Sequence, residues 1–465
     1  MRGHYKIMSQ YIQDTIVAQI TPVGEGAVGI LRLSGPESVL ILEKIFQGSI
    51  LPRQFESHKL YYGSFVDPSS KKILDQVLAV VMKAPKSFTG EDVVEIHMHG
   101  GTYLLTKALT ILQSLGARLA QAGEFSKRAF LNNKMDLTSA EAIADVIKAQ
   151  SEKELENALV QMGGFVSKTI NNIRHKLIEV QSLIEAGFDF SEEDIQFINR
   201  DQGLQFLYDI QSELNGLADS FQTGQLYRHG LKIALVGKPN VGKSSLLNAL
   251  LKENKAIIHH LPGTTRDVIE GEKKINGIRI HFLDTAGLRK TEDPIEQEGI
   301  FRTQEKMNKA DLVCLLLDSS QPLTEEDHRL LGQLNALRPI IIYSKADLPP
   351  AWSPSLLSSF EVLPLSSKTG QGLNELEQLI YQKGVQCLAP THSNYVLNNV
   401  RYYEHILDVI KNINKIIYLI SKDSLTEECL AEECRIISDK LGEITGEITS
   451  EDILDSIFSK FCIGK

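Results

Sequence analysis

The sequence predicts a multidomain α/β plus α fold, in which a doubly wound α/β domain is inserted into a helical domain. Three observations carry this. Between about residues 230 and 385, apolar strand patterns alternate with helical ones, the mark of a largely parallel sheet with helices on both faces. On either side, from Thr138 to about Leu226 and from about Asn398 to Phe461, apolar residues recur at amphipathic-helix spacing. A chain of 465 residues is also long enough for roughly two to four domains, each with its own core.

Composition narrows the function classes. With 42% hydrophobic and 23% charged residues, the chain reads as an ordinary globular protein. No apolar run approaches the roughly 20 residues that span a bilayer, and Met1–Met8 lacks the apolar core of a signal peptide. A cytoplasmic protein with no membrane role is expected. A net charge of −10 disfavours wide, independent binding of DNA or RNA, leaving a local patch or a partner that supplies the charge. The five cysteines form no C-x-x-C pair and no zinc spacing, in keeping with a reducing compartment. Cys314 falls within a strand pattern and reads as an inert core residue.

The middle segment carries chemistry in a fixed order. Ile233-Ala234-Leu235-Val236 runs into Gly237-Lys238-Pro239-Asn240-Val241-Gly242-Lys243-Ser244-Ser245, and a helix opens at Ser244. This is a GxxxxGK[ST] loop between strand and helix, where backbone N–H groups and the helix dipole cradle phosphate. Lys243 is expected to reach the β- and γ-phosphates and Ser244 to ligate Mg²⁺. Gly263-Thr264-Thr265-Arg266-Asp267 stands where the first switch belongs, with Thr265 as a second Mg²⁺ ligand. Glu272 to Phe282 holds an Asn276-Gly277 turn between two strand patterns and predicts a hairpin. An antiparallel edge beside a parallel sheet is the build of Ras-like G domains, which the segment resembles. Asp284-Thr285-Ala286-Gly287 then ends a strand: Asp284 would hold Mg²⁺ through water, and the Gly287 N–H would sense the γ-phosphate.

Two loops would read the base. In Ser344-Lys345-Ala346-Asp347, the Asp347 carboxylate accepts two hydrogen bonds that guanine offers and adenine does not. Ser366-Ser367-Lys368 would present backbone N–H groups to the guanine carbonyl. Each short motif is weak alone; the four together, in this order, predict a GTPase. The water-orienting Gln of Ras-type enzymes is replaced by Leu288, and the switch holds no evident arginine finger, a device worth roughly 10³–10⁵-fold. Asn240 and carbonyls of the loop His259-His260-Leu261-Pro262-Gly263-Thr264 offer oxygens that could enclose a monovalent cation in its place. Glu296 could orient the water, although composition alone makes it a solvated helix residue.

Ile257 to Asp267 and Asp284 to Arg289 resemble the TrmE–Era–EngA class of GTPases. Further blocks narrow the resemblance: Asp14 to Gln19, Val28 to Gly35, Ser87 to Asp92, Gly123 to Asn132, Leu441 to Glu447, and Phe461-Cys462-Ile463-Gly464-Lys465. Together they are similar, over nearly the whole chain, to the MnmE (TrmE) family of tRNA uridine modification GTPases. That resemblance implies a K⁺-activated homodimer in which Asn240 and the carbonyls of His259, Leu261 and Thr264 hold K⁺ and Glu296 orients water. It implies a flavoprotein partner, MnmG, carrying FAD, in what would be a heterotetramer acting on tRNA. The reaction would install a carboxymethylaminomethyl-type group at C5 of the wobble uridine, using 5,10-methylene- or 5-formyl-tetrahydrofolate. Arg32, Glu95, Lys134 and Lys465 would line the folate site, the cations meeting its glutamate and Glu95 the pterin ring. Cys462 is read either as a nucleophile or as part of a merely docked tail. His97 and His99 read as packing or hydrogen-bonding residues rather than metal ligands.

The expected organisation is a folate-binding and dimerisation domain over 1–133, a helical part over 134–229, the G domain over 230–385 and a second helical part over 386–465. The chain departs from the family at Ser344, where Asn is usual, at His259-His260, and at Tyr402, where His is usual. The shorter Ser344 is expected to weaken the tie between base loop and P-loop. Two other readings share the G domain: an Era- or EngA-like ribosome-assembly GTPase, and a GTP-gated scaffold without turnover.

Overall fold

The computed structural model describes residues 14–189, 200–252, 271–284, 310–386, 395–422 and 426–465. They fall into two compact units: the described residues within Met1–Ile147, Gln161–Glu179 and Ala431–Lys465, and those within Lys148–Val160 and Val180–Leu430.

The first unit is built on a seven-stranded sheet: β1 (Ile16–Gln19), β2 (Gly26–Ser34), β3 (Phe46–Gly48), β4 (Leu60–Val66), β5 (Ile73–Met82), β6 (Val93–Gly100) and β7 (Arg118–Leu119), in the order β3-β4-β5-β6-β2-β1-β7. All neighbours are antiparallel except β1 and β7. In β2, Leu31 and Leu33 face one way and Arg32 the other, the period-two alternation of a strand. The leucine face meets helices Ser38–Ile45 and Thr102–Ser114 in one apolar core with Ile41, Leu42, Leu105 and Leu112. The opposite face carries a smaller cluster, Ile16, Ala18, Ala120 and Phe125, with Phe88 against it. Register puts Ala18, Arg32 and Glu95 side by side on that second face.

Helix Glu451–Phe458 closes the unit, its Leu454, Ile457 and Phe458 meeting Leu137 and Ala140 of helix Leu137–Lys148. In the same unit Arg128 is 1% exposed and binds three carboxylates, Asp14 at 2.5 Å and Glu91 and Glu124 at 3.1 Å each. Arg118 adds a second cation on Asp14 and Glu124.

The second unit contains a six-stranded sheet: β8 (Leu231–Val236), β9 (Gly271–Ile275), β10 (Ile278–Asp284), β11 (Leu312–Asp318), β12 (Ile340–Ser344) and β13 (Glu361–Leu365), in the order β13-β12-β11-β8-β10-β9. Only β9 is antiparallel, joined to β10 through Asn276 and Gly277, both at positive φ as a type I′ turn requires. The parallel strands are apolar on both sides because both faces are covered. Ile233 and Leu235 enter one core with helices Lys243–Lys252 and Leu373–Gln386, and Ala234 and Val236 the other with helix Glu325–Leu334. This is the doubly wound G-domain architecture, hairpin edge included.

Helical elements flank the sheet in sequence: Glu152–Met162, Arg200–Asp219 and Phe221–His229 before it, Val400–Ser421 after it. In the last, Tyr402, Ile406, Val409, Ile413, Ile416 and Ile420 form a buried stripe at helical spacing. Asn399 caps it by accepting the Arg401 N–H at 3.0 Å. Tyr402 is fully buried. The segment before that helix is clasped by Asn157, which donates to Val396 O at 3.0 Å and accepts from Val396 N at 2.9 Å.

The Arg128 cluster sets an acid limit. Burial alone would raise the Asp14 and Glu124 carboxyls, but bonds from Arg118 and Arg128, and for Glu124 also the Gln121 N–H, hold both below the ordinary carboxylate range. Their contribution is therefore whole above about pH 4.5 and is lost as pH falls through the folded values. An Arg128→Leu chain, left with buried carboxylates short of a partner, should lose about 3–5 kcal/mol of stability at neutral pH and show a flatter acid dependence. Urea midpoints of the full chain across pH 7 to about 3 test this. Equal pH profiles would refute it.

Candidate nucleotide and N-terminal sites

The phosphate loop leaves the C-terminal end of β8, where parallel α/β sheets place their ligand sites. Gly237 has φ +151, and a Cβ there would lie 2.6 Å from Leu316 O, so the backbone passes where only glycine fits. Asn240 is exposed at φ +63, and Gly242 at φ +104 borders open space. The buried Lys243 donates to the carbonyls of Gly237 at 2.6 Å and Lys238 at 2.7 Å. Val241 is buried beneath the loop, and Ser244 and Ser245 are exposed at the start of the helix. A cradle of open backbone, an ammonium and a helix N-terminus fits polyphosphate. Lys238 fastens the outer limb of the loop, bonding Asp327 at 2.6 Å and Thr324 at 2.8 Å in the capping box of helix Glu325–Leu334. Although burial would raise Asp327, the Lys238 bond and the Thr324 donors hold its pKa down.

The base loops leave β12 and β13. Ser344 donates to Val241 O at 2.9 Å and Leu317 O at 3.0 Å. The tie to the P-loop expected to weaken with the shorter residue is thus made, because the end of β12 lies close enough for a hydroxyl to span it. Its limit is one proton for two acceptors. Lys345, at φ +59, binds Asp318 Oδ2 at 2.6 Å. Asp347 is exposed, and the Ser366 hydroxyl donates to its Oδ1 at 2.6 Å, which lowers its pKa and keeps it an acceptor. The Ser366 N–H goes to Gln371 O at 3.0 Å, so within the loop it is already engaged. Ser367 is half-buried and Lys368 exposed beside it.

A second group of residues converges on the far face of the N-terminal sheet. Arg32 bonds Glu95 through both Nε at 2.8 Å and Nη2 at 2.7 Å, with 15% of each side chain exposed. His97 lies 3.4 Å from the same carboxylate, and His99 bonds Asp75 at 2.7 Å, so both histidines have hydrogen-bonding roles. The Arg32 guanidinium stands 5.5 Å from the Phe88 ring centre and 5.7 Å from that of Phe125, within cation–π range. The segment from Cys462 docks here. Ile463 bridges Ala122, the Gly123 N–H reaches Cys462 O at 3.4 Å, and the Phe125 N–H donates to Lys465 O at 3.2 Å. Gly464 has φ +97, and a Cβ there would meet Gln19 O at 2.7 Å. Residues 462–465 therefore lie beside Phe125, whose ring faces Arg32. Lys134 is exposed, with Nζ on Pro85 O at 2.9 Å, and Cys462 is exposed.

Two family models match the chain: the GTP-binding protein TrmE N-terminus over residues 15–134 and the MnmE helical domain over residues 137–462. The chain belongs to the MnmE family of tRNA modification GTPases. Named members align with it end to end. The tRNA modification GTPase MnmE of Syntrophus aciditrophicus is 40% identical over 458 residues, that of Alkaliphilus oremlandii 39% over 464 and that of Geobacter sulfurreducens 41% over 458, each covering 98% of this chain and 100% of the relative. As an MnmE-family protein the chain is a GTPase of tRNA modification, and its matches reach well beyond the G domain that an Era-like protein would share. No helix among the described residues is long and apolar enough to cross a membrane.

Several expected MnmE residues lie outside the described ones: His259, His260, Leu261, Pro262, Gly263, Thr264, Thr265, Thr285, Ala286, Gly287 and Glu296. Asp284 is described as the last residue of β10. Sequence reasoning missed Phe88, Phe125, Asp318 and Asp327. Asp327 had a local signal, as the third residue after Thr324 in a capping-box pattern, and Phe88 and Phe125 lie within blocks that carry the family resemblance.

The cysteines should separate chemically. Burial pushes the Cys314 thiol up to about 12, so at pH 8 only about one molecule in 10⁴ carries the thiolate. Iodoacetamide followed by peptide mass mapping should modify exposed Cys462 in the native protein and Cys314 only after unfolding. Native labelling of Cys314 would contradict the burial.

Proposed function

We propose that the chain is a K⁺-activated GTPase that works with an MnmG-type flavoprotein, bearing FAD, to build a carboxymethylaminomethyl-type group at C5 of the wobble uridine in tRNA. The observation that carries this reading is the docking of Ile463 and Lys465 beside Phe125, on the sheet face that presents Arg32 and Glu95. A tetrahydrofolate derivative, 5,10-methylene or 5-formyl, supplies a one-carbon unit when bound there. The residues suit it: an aromatic pair, a carboxylate for ring N–H groups, and lysines for a glutamate tail. Because Arg32 is bonded to Glu95, it orients that carboxylate, and Lys134 and Lys465 remain for the glutamate end. Residues 1–133 would form the folate-binding and dimerising domain, 230–385 the G domain, and 134–229 with 386–465 the helical domain. Cys462 is the candidate nucleophile of the tail.

In the G domain, Lys243 and the loop N–H groups bind the β- and γ-phosphates, and Ser244 and Thr265 hold Mg²⁺, with Asp284 behind a water. Asn240, with the carbonyls of His259, Leu261 and Thr264, holds K⁺ where an arginine finger would place its charge. Glu296 positions the attacking water. Asp347 reads guanine.

GTP turnover of the full chain should be at least about tenfold faster in KCl than in NaCl, since the cation replaces a finger worth far more; equal rates would overturn the K⁺ site. Asp347→Asn, which swaps an acceptor for a donor, should weaken GTP binding by about 10²-fold and favour xanthosine triphosphate. For the whole reading, tRNA nucleosides from a deletion strain complemented with wild type or Lys465→Ala are decisive. Wild type should restore the modified wobble uridine and Lys465→Ala should not, while keeping K⁺-dependent GTPase activity.

A further inference from the structure

Asp318 belongs to no nucleotide motif, yet it grips the loop that carries Asp347. It ends β11, in register with Ser344 at the end of β12. Its Oδ1 accepts from the Ser320 N–H at 2.9 Å and the Ser320 hydroxyl at 2.7 Å. That fixes the carboxylate with Oδ2 toward Lys345, whose Nζ is 2.6 Å away. The side chains are 12% and 36% exposed, so the ion pair is partly shielded from water.

Lys345 needs such a hold. Its φ of +59 lies in the left-handed region that L-residues with side chains enter at a cost. Two bonds fix its main chain: the buried Ser319 hydroxyl donates to Lys345 O at 3.1 Å, and the Ala346 N–H donates to Leu365 O at 3.1 Å. Ser344, by contrast, has one hydroxyl proton to divide between Val241 O and Leu317 O. A charge-assisted bond is the stronger restraint. Asp347 follows two residues later and takes its position from this turn, with one oxygen already engaged by Ser366.

We propose that Asp318, acting through Lys345, is the positioning residue that sets how well the base loop discriminates guanine from other purines. The inference rests on reading Asp347 as the guanine acceptor. Guanine offers that carboxylate a ring N–H and a 2-amino group; hypoxanthine keeps the first and lacks the second. The ratio of IDP to GDP dissociation constants therefore reports how well the 2-amino contact is placed; the ring N–H contact and general damage to the protein, common to both ligands, cancel from it.

The test is calorimetric titration of the full chain with GDP and IDP. Wild type should prefer GDP. Asp318→Asn and Lys345→Met should each lower the preference about tenfold, the value of one hydrogen bond to a charged group. The double variant should fall no further than either, and Asp318→Glu, which keeps the carboxylate, should retain most of the preference. If both single variants weaken GDP and IDP by the same factor, the positioning role is overturned; Lys345→Met, a partly exposed site, reads this even where Asp318→Asn does not fold. If wild type itself binds GDP and IDP alike, the guanine reading of Asp347 fails, and the positioning role fails with it.

Discussion

Main-chain hydrogen bonds between residues 122–125 and 462–465 are the constraint on which the N-terminal unit depends. They join stretches about 340 residues apart, so they close a long loop, whose entropic cost grows only slowly with length. The approach is backbone to backbone, and glycine makes it possible at both ends. Gly123, at φ +68, would place a Cβ 2.5 Å from Phe458 O, and Gly464 is as tightly held against Gln19. Apolar contact of helix Glu451–Phe458 with Leu137 and Ala140 supplies the favourable term, at about 25 cal/mol per Å² buried. The bonds then fix which residue of the tail stands beside Phe125.

In the other unit, the parallel sheet does the corresponding work. The loops that hold a nucleotide leave the C-terminal ends of β8, β12 and β13, and those ends are set level by strand register. Side-chain bonds then tie loop to loop: Ser344 to Val241, Ser366 to Asp347, Lys238 to Asp327. None of these joins neighbours in sequence. The site is a set of separate turns held at one height by a shared core.

That division explains what the sequence could reveal. The phosphate loop and the Asn276-Gly277 hairpin are local: strand, turn and helix follow within a few residues, and glycine or asparagine marks the positive φ. Asp347 stands out in the sequence because a carboxylate in that loop pattern has specific acceptor chemistry, and the structure leaves it exposed. Family resemblance singled out Arg32 and Glu95 but not their ion pair, since 63 residues separate the partners and only strand register joins them. Lys238–Asp327, 89 apart, and Arg128–Asp14, 114 apart, carry no pattern a single sequence could show. Ser344 teaches the converse. Side-chain length alone suggests a weaker tie, and the strand end brings the P-loop carbonyl within reach of the hydroxyl that makes it.

The contact between residues 122–125 and 462–465 also has a temporal meaning. On the ribosome the seven strands of the first sheet emerge early, and their leucine face can collapse at once against its two helices. The opposite face, with Arg32 and Glu95, stays without its last covering segment while some 340 further residues are made, the whole six-stranded sheet among them. The G domain can thus be complete before that face of the first sheet is. A newborn chain would pass through a period in which its G domain is folded while Phe125 still lacks residues 462–465 beside it.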